Sequence, residues 1–515
     1  MDFNKIIDNI VAFFCSLYAN MSGYFSSIDA SRVLTVLQYD PRNPLLFSSG
    51  AFLFVALVFF LCYCLLRKQL SARLLFVTLF SYYFFYKSSG LYFLLLVVIT
   101  VSDFYIARRI AQSNKKKVWL CLSLVIDLGM LAYFKYTNFF SSMVSQMIGN
   151  NFQPWDIFLP IGISFYTFKA VSYTIDVYRG KMQPLNSIMD YAFYVSFFPT
   201  LLAGPITRAN DFVPQIRKPL CLSNEMFAKG VFLIIIGLFK KAVISDYLSA
   251  NFVDRIFDNP SLFSGGEVLL GLYGYCFQIY CDFSGYSDMA IGIALLLGFT
   301  IPDNFNAPLQ ADSMTDFWRR WHISLSTWIR DYVYISLGGN RHGQWRMYLN
   351  QMIAMAACGL WHGASLNFIV WGVLHGLFVC IHKFWSQTVL HHDKRYHPKG
   401  LKRFFSVFIT FHVITFSWLL FRCGSFDSVK VMVSQIFTKF NLAVLPDVFV
   451  AYKYVFLLML FALVSHWLPF SWHEAGIKLI RRTGVIGAAI AVVVVIFIIM
   501  QVKSSEVQPF IYFQF

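Results

Sequence analysis

Two imidazoles in this chain stand where they could move protons inside an apolar protein. His322 lies in D-F-W-R-R-W-H-I-S-L-S and His362 in G-L-W-H-G-A-S. A neutral imidazole, with an unperturbed pKa of about 6.5, can take a proton from a hydroxyl and return one to a leaving group near neutral pH. Trp318, His322, Leu325 and Ile329 recur at helical spacing, while Arg319, Arg320, Thr327, Arg330 and Asp331 fall largely on the other face. This pattern predicts a helix over 315–332 with Thr315 as its N-cap and His322 turned toward protein or lipid. Periodicity alone favours an interfacial helix with a structural histidine. His362 lies where one apolar run breaks before the next, and an ionisable group at that depth is by default a functional candidate. Imidazole is also the cheapest such group to bury, so a structural role fits His362 as well.

Other chemistries have less behind them. His375 and His382 lie in an unbroken apolar run and read as core or interfacial residues. The stretch G-G-N-R-H-G, which holds Arg341 and His342, reads as a loop turn that could also meet a phosphate. There is no GxGxxG after a strand, no P-loop and no HExxH. The 10 cysteines are scattered without a CxxC pair, and the adjacent His391 and His392 lack a ligand set, so no metal site is expected.

The elements that must hold these residues are membrane helices. Of 515 residues 58% are hydrophobic and 13% charged, with mean hydropathy +0.59. Apolar runs recur that approach the roughly 20 residues a spanning helix needs. Spans are predicted over 45–66, 74–86 and 91–107 (a helical hairpin about K-S-S-G), 118–136, 158–178, 231–244, 267–280, 284–297, 350–360, 366–382, 404–421, 452–467 and 484–500. The net charge of +16 fits basic loops kept in the cytoplasm, the stretch R-R-I-A-Q-S-N-K-K-K from Arg108 above all, rather than a nucleic-acid partner. Met1 to Asn20 carries Asp2 and Asp8 with a single lysine, so it reads as an interfacial amphipathic helix and not a signal peptide. The predicted layout is an N-terminal segment 1–44 and an integral membrane domain 45–515, with a catalytic core about 190–385. The stretch Y-A-F-Y-V-S-F-F-P-T-L-L-A-G-P-I-T from Tyr191 carries two prolines and a glycine. Non-helical backbone at membrane depth must be buried in protein or line a cavity, so re-entrant pieces around a central cavity are expected.

Several stretches together carry a resemblance. C-D-F-S-G-Y-S-D-M-A-I-G from Cys281, N-F-N-A-P from Asn304, F-F-P-T-L-L-A-G-P-I from Phe197 and the two histidine motifs are similar to the membrane-bound O-acyltransferase family, in its bacterial branch that modifies polysaccharides and cell walls. The resemblance runs in order from about Phe47 to the C-terminus. It implies an all-α polytopic fold around a transmembrane funnel or tunnel, in the bacterial cytoplasmic membrane. It also implies that His322 and His362 are the family's two essential histidines. The activity implied is transfer of an acyl group, acetyl first, from a cytoplasmic thioester toward an extracytoplasmic polysaccharide such as alginate, peptidoglycan or another exopolysaccharide.

On that reading acetyl-CoA is a donor substrate, with no tightly held cofactor. Arg319, Arg320, Arg330 and Arg341 either bind its phosphates or only obey the positive-inside rule. An acyl carrier protein is the other candidate donor, as in D-alanyl transfer to a cell-wall polymer. A transporter without acyl chemistry is the rival class. The ending F-I-Y-F-Q-F from Phe510 reads first as an aromatic belt at the interface. It also resembles the F-x-Y-x-x-F ending of these systems, which implies that Tyr512 carries the acyl group to an extracytoplasmic acyltransferase partner.

Overall fold

The computed structural model describes residues 37–41, 44–393, 396–502 and 510–511, and among them every regular element is helical. Most of the expected segment 1–44, and Tyr512 with it, lies outside the described residues. Five helical stretches there are long and apolar enough to cross a membrane: Leu70–Gln112, Lys116–Met147, Leu366–Val389, Gly400–Arg422 and Phe470–Val502. A bent pair, Leu445–Ala451 with Lys453–His466, meets at 85°.

In chain order, α1 (Gly50–Leu65) is followed by α2 (Leu70–Ser89) and α3 (Phe93–Gln112). The last two join through Gly90–Tyr92, where the sequence predicts a helical hairpin, and the φ of +60° at Gly90 suits glycine. A short loop holding Lys115 leads to α4 (Lys116–Leu131), which runs into the π-helical segment Ala132–Tyr136. Then come α5 (Thr137–Met147), α6 (Ile163–Tyr178) and α7 (Ile188–Ser196). The proline-rich stretch after α7 is the expected irregular backbone. Leu201, Leu202 and Ala203 are fully buried in protein there, and a Cβ on Gly204 would lie 2.5 Å from the Pro199 carbonyl oxygen.

After α8 (Ala209–Ile216), helix α9 (Asn224–Leu238) packs along α10 (Gly265–Leu296), a 32-residue helix opened by a Ser264–Glu267 capping box. The sequence predicts two spans where α10 is one helix about 47 Å long. Gly285 does not break it, because the glycine serves an interhelical contact. A Cβ on Gly285 would come within 2.8 Å of the Gly237 oxygen, and one on Gly237 within 2.5 Å of the Gly285 oxygen.

The remaining helices carry the site. They are α11 (Met314–Arg320), α12 (Ile323–Ile329), α13 (Gly343–His362), α14 (Leu366–Lys383), α15 (Gly400–Arg422), α16 (Phe426–Thr438), α17 (Lys453–Trp467) and α18 (Phe470–Val502). α13 and α14 form a close hairpin. A Cβ on Gly359 would lie 2.1 Å from the Phe368 oxygen, and one on Gly372 2.3 Å from the Met355 oxygen. α18 is kinked at Gly484, φ +63°, and packs along α9 and onto the π-helical segment Phe239–Ser245.

Candidate functional site

The predicted continuous helix over 315–332 is broken at His322, and its N-cap is Ser313 rather than Thr315. The Ser313 hydroxyl accepts from the Asp316 N–H at 3.2 Å. Asn304 accounts for the break. Its main-chain oxygen accepts from the Ile323 N–H at 2.9 Å, and its Oδ1 accepts from the Ser324 N–H at 3.3 Å and the Ser324 hydroxyl at 2.9 Å. The first donors of α12 are thus satisfied by a neighbouring segment, not by a preceding turn. His322 bridges α11 and α12 in the left-handed region, φ +43° and ψ +54°.

The same asparagine fixes the tautomer of the imidazole. An atom that accepts from a backbone N–H must be the amide oxygen, so His322 Nδ1, 3.1 Å from Asn304 Oδ1, is a donor and the ring lone pair is on Nε2. Asn304 is held in turn, with Nδ2 donating to Ser287 Oγ on α10 at 3.1 Å. Ser324 Oγ accepts from the Ile206 N–H at 3.0 Å, which ties the assembly to the irregular stretch after α7.

His362 is the last residue of α13. Its ring centroid is 6.5 Å from that of His322, 5.0 Å from Trp361, 5.2 Å from Trp371 and 5.2 Å from Phe421. Phe283 closes the other side of His322, edge to face at 4.6 Å. Both histidines are buried, so the structure brings together the two imidazoles that the sequence singled out and walls them with aromatic rings. Gly363 leaves room for this wall, since a Cβ there would lie 2.1 Å from the Phe368 ring.

A cleft reaches His362 from the loop before α6. It is lined by Lys135, Pro160, Gly162, Ser164, Trp361 and His362 among others. Lys135 Nζ donates to the main-chain oxygens of Trp361, at 2.6 Å, and His362, at 3.1 Å, and Tyr136 Oη donates to that of Leu360 at 2.8 Å.

Phe510 and Ile511 enter the same core. Both are buried, and Phe510 lies 4.8 Å from Tyr286 and 5.7 Å from Phe283, centroid to centroid. The Ile511 N–H donates to Asp282 Oδ2 at 2.7 Å, and Asp282 Oδ1 pairs with Lys241 Nζ at 2.7 Å. Lys241 also pairs with Asp246, and Lys240 with Asp288, each at 2.7 Å.

The four arginines do not share one partner. Arg320 pairs with Asp316 and donates to the Asn306 oxygen, Arg330 pairs with Asp331, and Arg319 and Arg341 are exposed. Arg319 and Arg320 lie just before His322. Arg341 lies next to the N-terminal end of α13, about 28 Å of helix from His362. His375 is a core residue, 2.9 Å from Ser417 Oγ through Nε2, and His382 Nδ1 meets Thr315 Oγ1 at 3.0 Å.

Sequence reasoning did not single out Asn304, Lys135, Lys241 or Asp282 as site residues. The last three had a readable signal, a charge within an apolar run. Asn304 had none beyond its place in N-F-N-A-P.

Residues 163–421 match the family model described as MBOAT, the membrane-bound O-acyltransferase family. That span holds both histidines, Asn304, Asp282, Lys241 and the four arginines, and leaves out Lys135 and the C-terminal segment. The chain is 39% identical over 405 residues to the Pseudomonas aeruginosa protein named "Probable alginate O-acetylase AlgI", covering 76% of this chain and 75% of that one. It is 37% identical over 360 residues to the Helicobacter pylori "Peptidoglycan O-acetyltransferase", covering 64% and 67%. A Bacillus subtilis "Teichoic acid D-alanyltransferase" is 29% identical over 282 residues, covering 52% and 70%.

Proposed function

The chain belongs to the membrane-bound O-acyltransferase family, and from that premise we propose that it carries an acetyl group from acetyl-CoA in the cytoplasm, through Tyr512, toward an extracytoplasmic polysaccharide. It is a multi-pass membrane O-acyltransferase. The observation that carries the finer reading is the pair of buried imidazoles 6.5 Å apart, with Phe510 packed on the Phe283 ring that flanks His322.

In the first transfer the Tyr512 phenol attacks the thioester carbonyl. His362 takes the phenolic proton, the ester C–O bond forms and the C–S bond breaks. The proton returns to the departing sulfur, which leaves as free thiol. In the second transfer a hydroxyl of the acceptor or of an extracytoplasmic acyltransferase partner attacks the ester, and its proton restores the phenol. An aryl ester is an activated donor for such a hydroxyl. His322, with its lone pair on Nε2, is suited to relay a proton or position the donor. Arg319, Arg320, Arg330 and Arg341 are assigned to the donor phosphates.

Relatives named for alginate and peptidoglycan support an acetyl group and a polysaccharide acceptor. The basic balance of the chain supports a bacterial cytoplasmic membrane with basic loops inside. The relative named for D-alanyl transfer favours a second reading, in which an acidic carrier protein brings the acyl group.

The test uses purified protein in detergent with acetyl-labelled acetyl-CoA. Label on the peptide that holds Tyr512, lost in Tyr512→Phe, is the expected result. Wild-type polysaccharide acetylation by Tyr512→Phe would return the tail to the role of anchor. Label delivered only from a charged carrier protein would select the second reading.

A further inference from the structure

A second cavity, of about 680 Å³, lies beside the loop between α5 and α6. It is lined by Phe140 of α5 and by Asn150, Asn151, Phe152, Gln153 and Trp155, among others. Trp155 is 56% exposed, yet its backbone is held from both sides. Asn138 Nδ2 donates to the Trp155 main-chain oxygen and Asn138 Oδ1 accepts from the Trp155 N–H, each at 3.0 Å. The Phe152 ring stands 6.1 Å from the indole at 67°. A large ring is thus presented to solvent from a fixed backbone, beside amide side chains that both donate and accept. From Thr137 to Ser164 the sole charged residue is Asp156.

The position of this hollow matters as much as its lining. The helical stretch Lys116–Met147 starts in the basic run at Lys115–Lys117 and is about 48 Å long, more than the roughly 30 Å of bilayer hydrocarbon. Its far end therefore lies on the face opposite the basic, cytoplasmic one. The same loop runs on through Pro160 and Gly162 into the wall of the His362 cleft. Trp155 and Pro160 are at most about 18 Å of extended chain apart.

We propose that this hollow binds a neutral or N-acetylated segment of the acceptor glycan. A sugar ring has an apolar C–H face that packs flat on an indole, and a rim of hydroxyl or acetamido groups that pair with Asn and Gln amides. The clamped backbone of Trp155 lowers the ordering cost of such a contact. The lining also sets the class of polymer. A polyuronate such as alginate carries a carboxylate on each sugar unit, and its recognition calls for Arg or Lys. The lining holds neither, and Asp156 follows Trp155 in the chain.

The site rests on the transfer proposed above, toward an extracytoplasmic polysaccharide, so its test runs without acyl donor. Purified full-length protein in detergent is titrated with chitohexaose, cellohexaose and a hexamer of mannuronate, and binding is followed by ligand-observed NMR. At least one neutral hexamer should bind, with the uronate hexamer at least about tenfold weaker. Trp155→Ala should weaken that binding about tenfold, while Trp155→Phe, which keeps a ring, should retain most of it. Asn138→Ala, which releases the clamp and leaves the indole, should also weaken it. Equal binding by wild type and Trp155→Ala overturns the proposal, as does tighter binding of the uronate or no binding of either neutral hexamer. Loss of polymer acetylation in cells by Trp155→Ala, with no glycan bound by wild type, would give this face to the partner acyltransferase instead. Glycan bound without acetyl label on the Tyr512 peptide would sink the transfer route and leave this site standing, and label without bound glycan would do the reverse.

Discussion

Asn304 and His322 act as one unit at the scale of single residues. The asparagine oxygen caps α12 and holds Nδ1 of the ring at 3.1 Å, so it sets both the chain break and the tautomer. Asn304→Ala should therefore lower acyl transfer by about 100-fold, since small misplacements of a reacting group cost on that order. The check is a rate measurement on protein whose yield and monodispersity in detergent match wild type. His362→Ala should cost between about 100- and 10,000-fold, the range for losing a general base. Near-normal acylation of the polymer by that variant would remove the residue from the mechanism. His322→Gln keeps a hydrogen-bonding side chain but cannot act as a base near neutral pH, so substantial activity there would limit His322 to positioning. His362 stood out in the sequence as an imidazole at a break between apolar runs, whereas periodicity read His322 as structural and only its family motif singled it out. The Asn304 contact was not legible, since it joins side chains that no local periodicity relates.

Between elements, glycine decides how closely helices meet. The α13–α14 hairpin that presents His362 depends on Gly359 and Gly372, whose Cβ positions are occupied by the facing backbone. Gly359→Ala should destabilise the protein by about 1–3 kcal/mol, the usual range for overpacking, visible as a lower unfolding temperature in detergent. A charge explains the misread helix α10. The predicted spans 267–280 and 284–297 leave a boundary at 281–283, where Asp282 interrupts the apolar run. The Lys241 partner that lets this carboxylate stay within one helix lies at a distant chain position. The break at His322 shows the reverse. A run that reads as one helix is cut by donors and acceptors from Asn304, a partner outside the periodic window.

For the whole molecule, the sequence was informative about class and weak about the far side of the chemistry. Apolar runs and long motifs made a polytopic O-acyltransferase legible, and the irregular, buried backbone after α7 followed from its prolines. What holds Phe510 and Ile511 in the core is the carboxylate of the buried Lys241–Asp282 pair, a contact between distant positions. Removing Lys241 leaves the buried Asp282 charge uncompensated, at a cost of about 3–5 kcal/mol, while removing the Asp282 charge leaves Lys241 its pair with Asp246 and costs less. Asp282→Asn and Lys241→Met should each lower stability, and the double variant should recover part of the loss. The expected readout is a positive coupling in a thermal-unfolding cycle, and strict additivity would deny the pair. Arg319 is exposed at the end of α11, and Arg320 pairs there with Asp316. Replacing both with Gln should raise the KM for acetyl-CoA more than it lowers kcat. Lost insertion with unchanged donor affinity in the inserted fraction would make them topology signals only.

The contact between Asp282 and Ile511 also sets an order of assembly. The two residues are 229 positions apart in the chain. At roughly 5–20 residues per second, the slot beside Asp282 stays empty for about 10–45 s after its own helix has been made. During that interval Asp282 has Lys241 as its buried counter-charge, while the lipid-facing spans after α10 are still entering the bilayer. The nascent enzyme thus passes through a stage in which its helices are in place and its innermost slot is open. A chain stalled just before Ile511 should be captured by membrane quality-control proteases faster than the finished protein. Pulse–chase lifetimes of the stalled and complete chains would measure how long the slot waits.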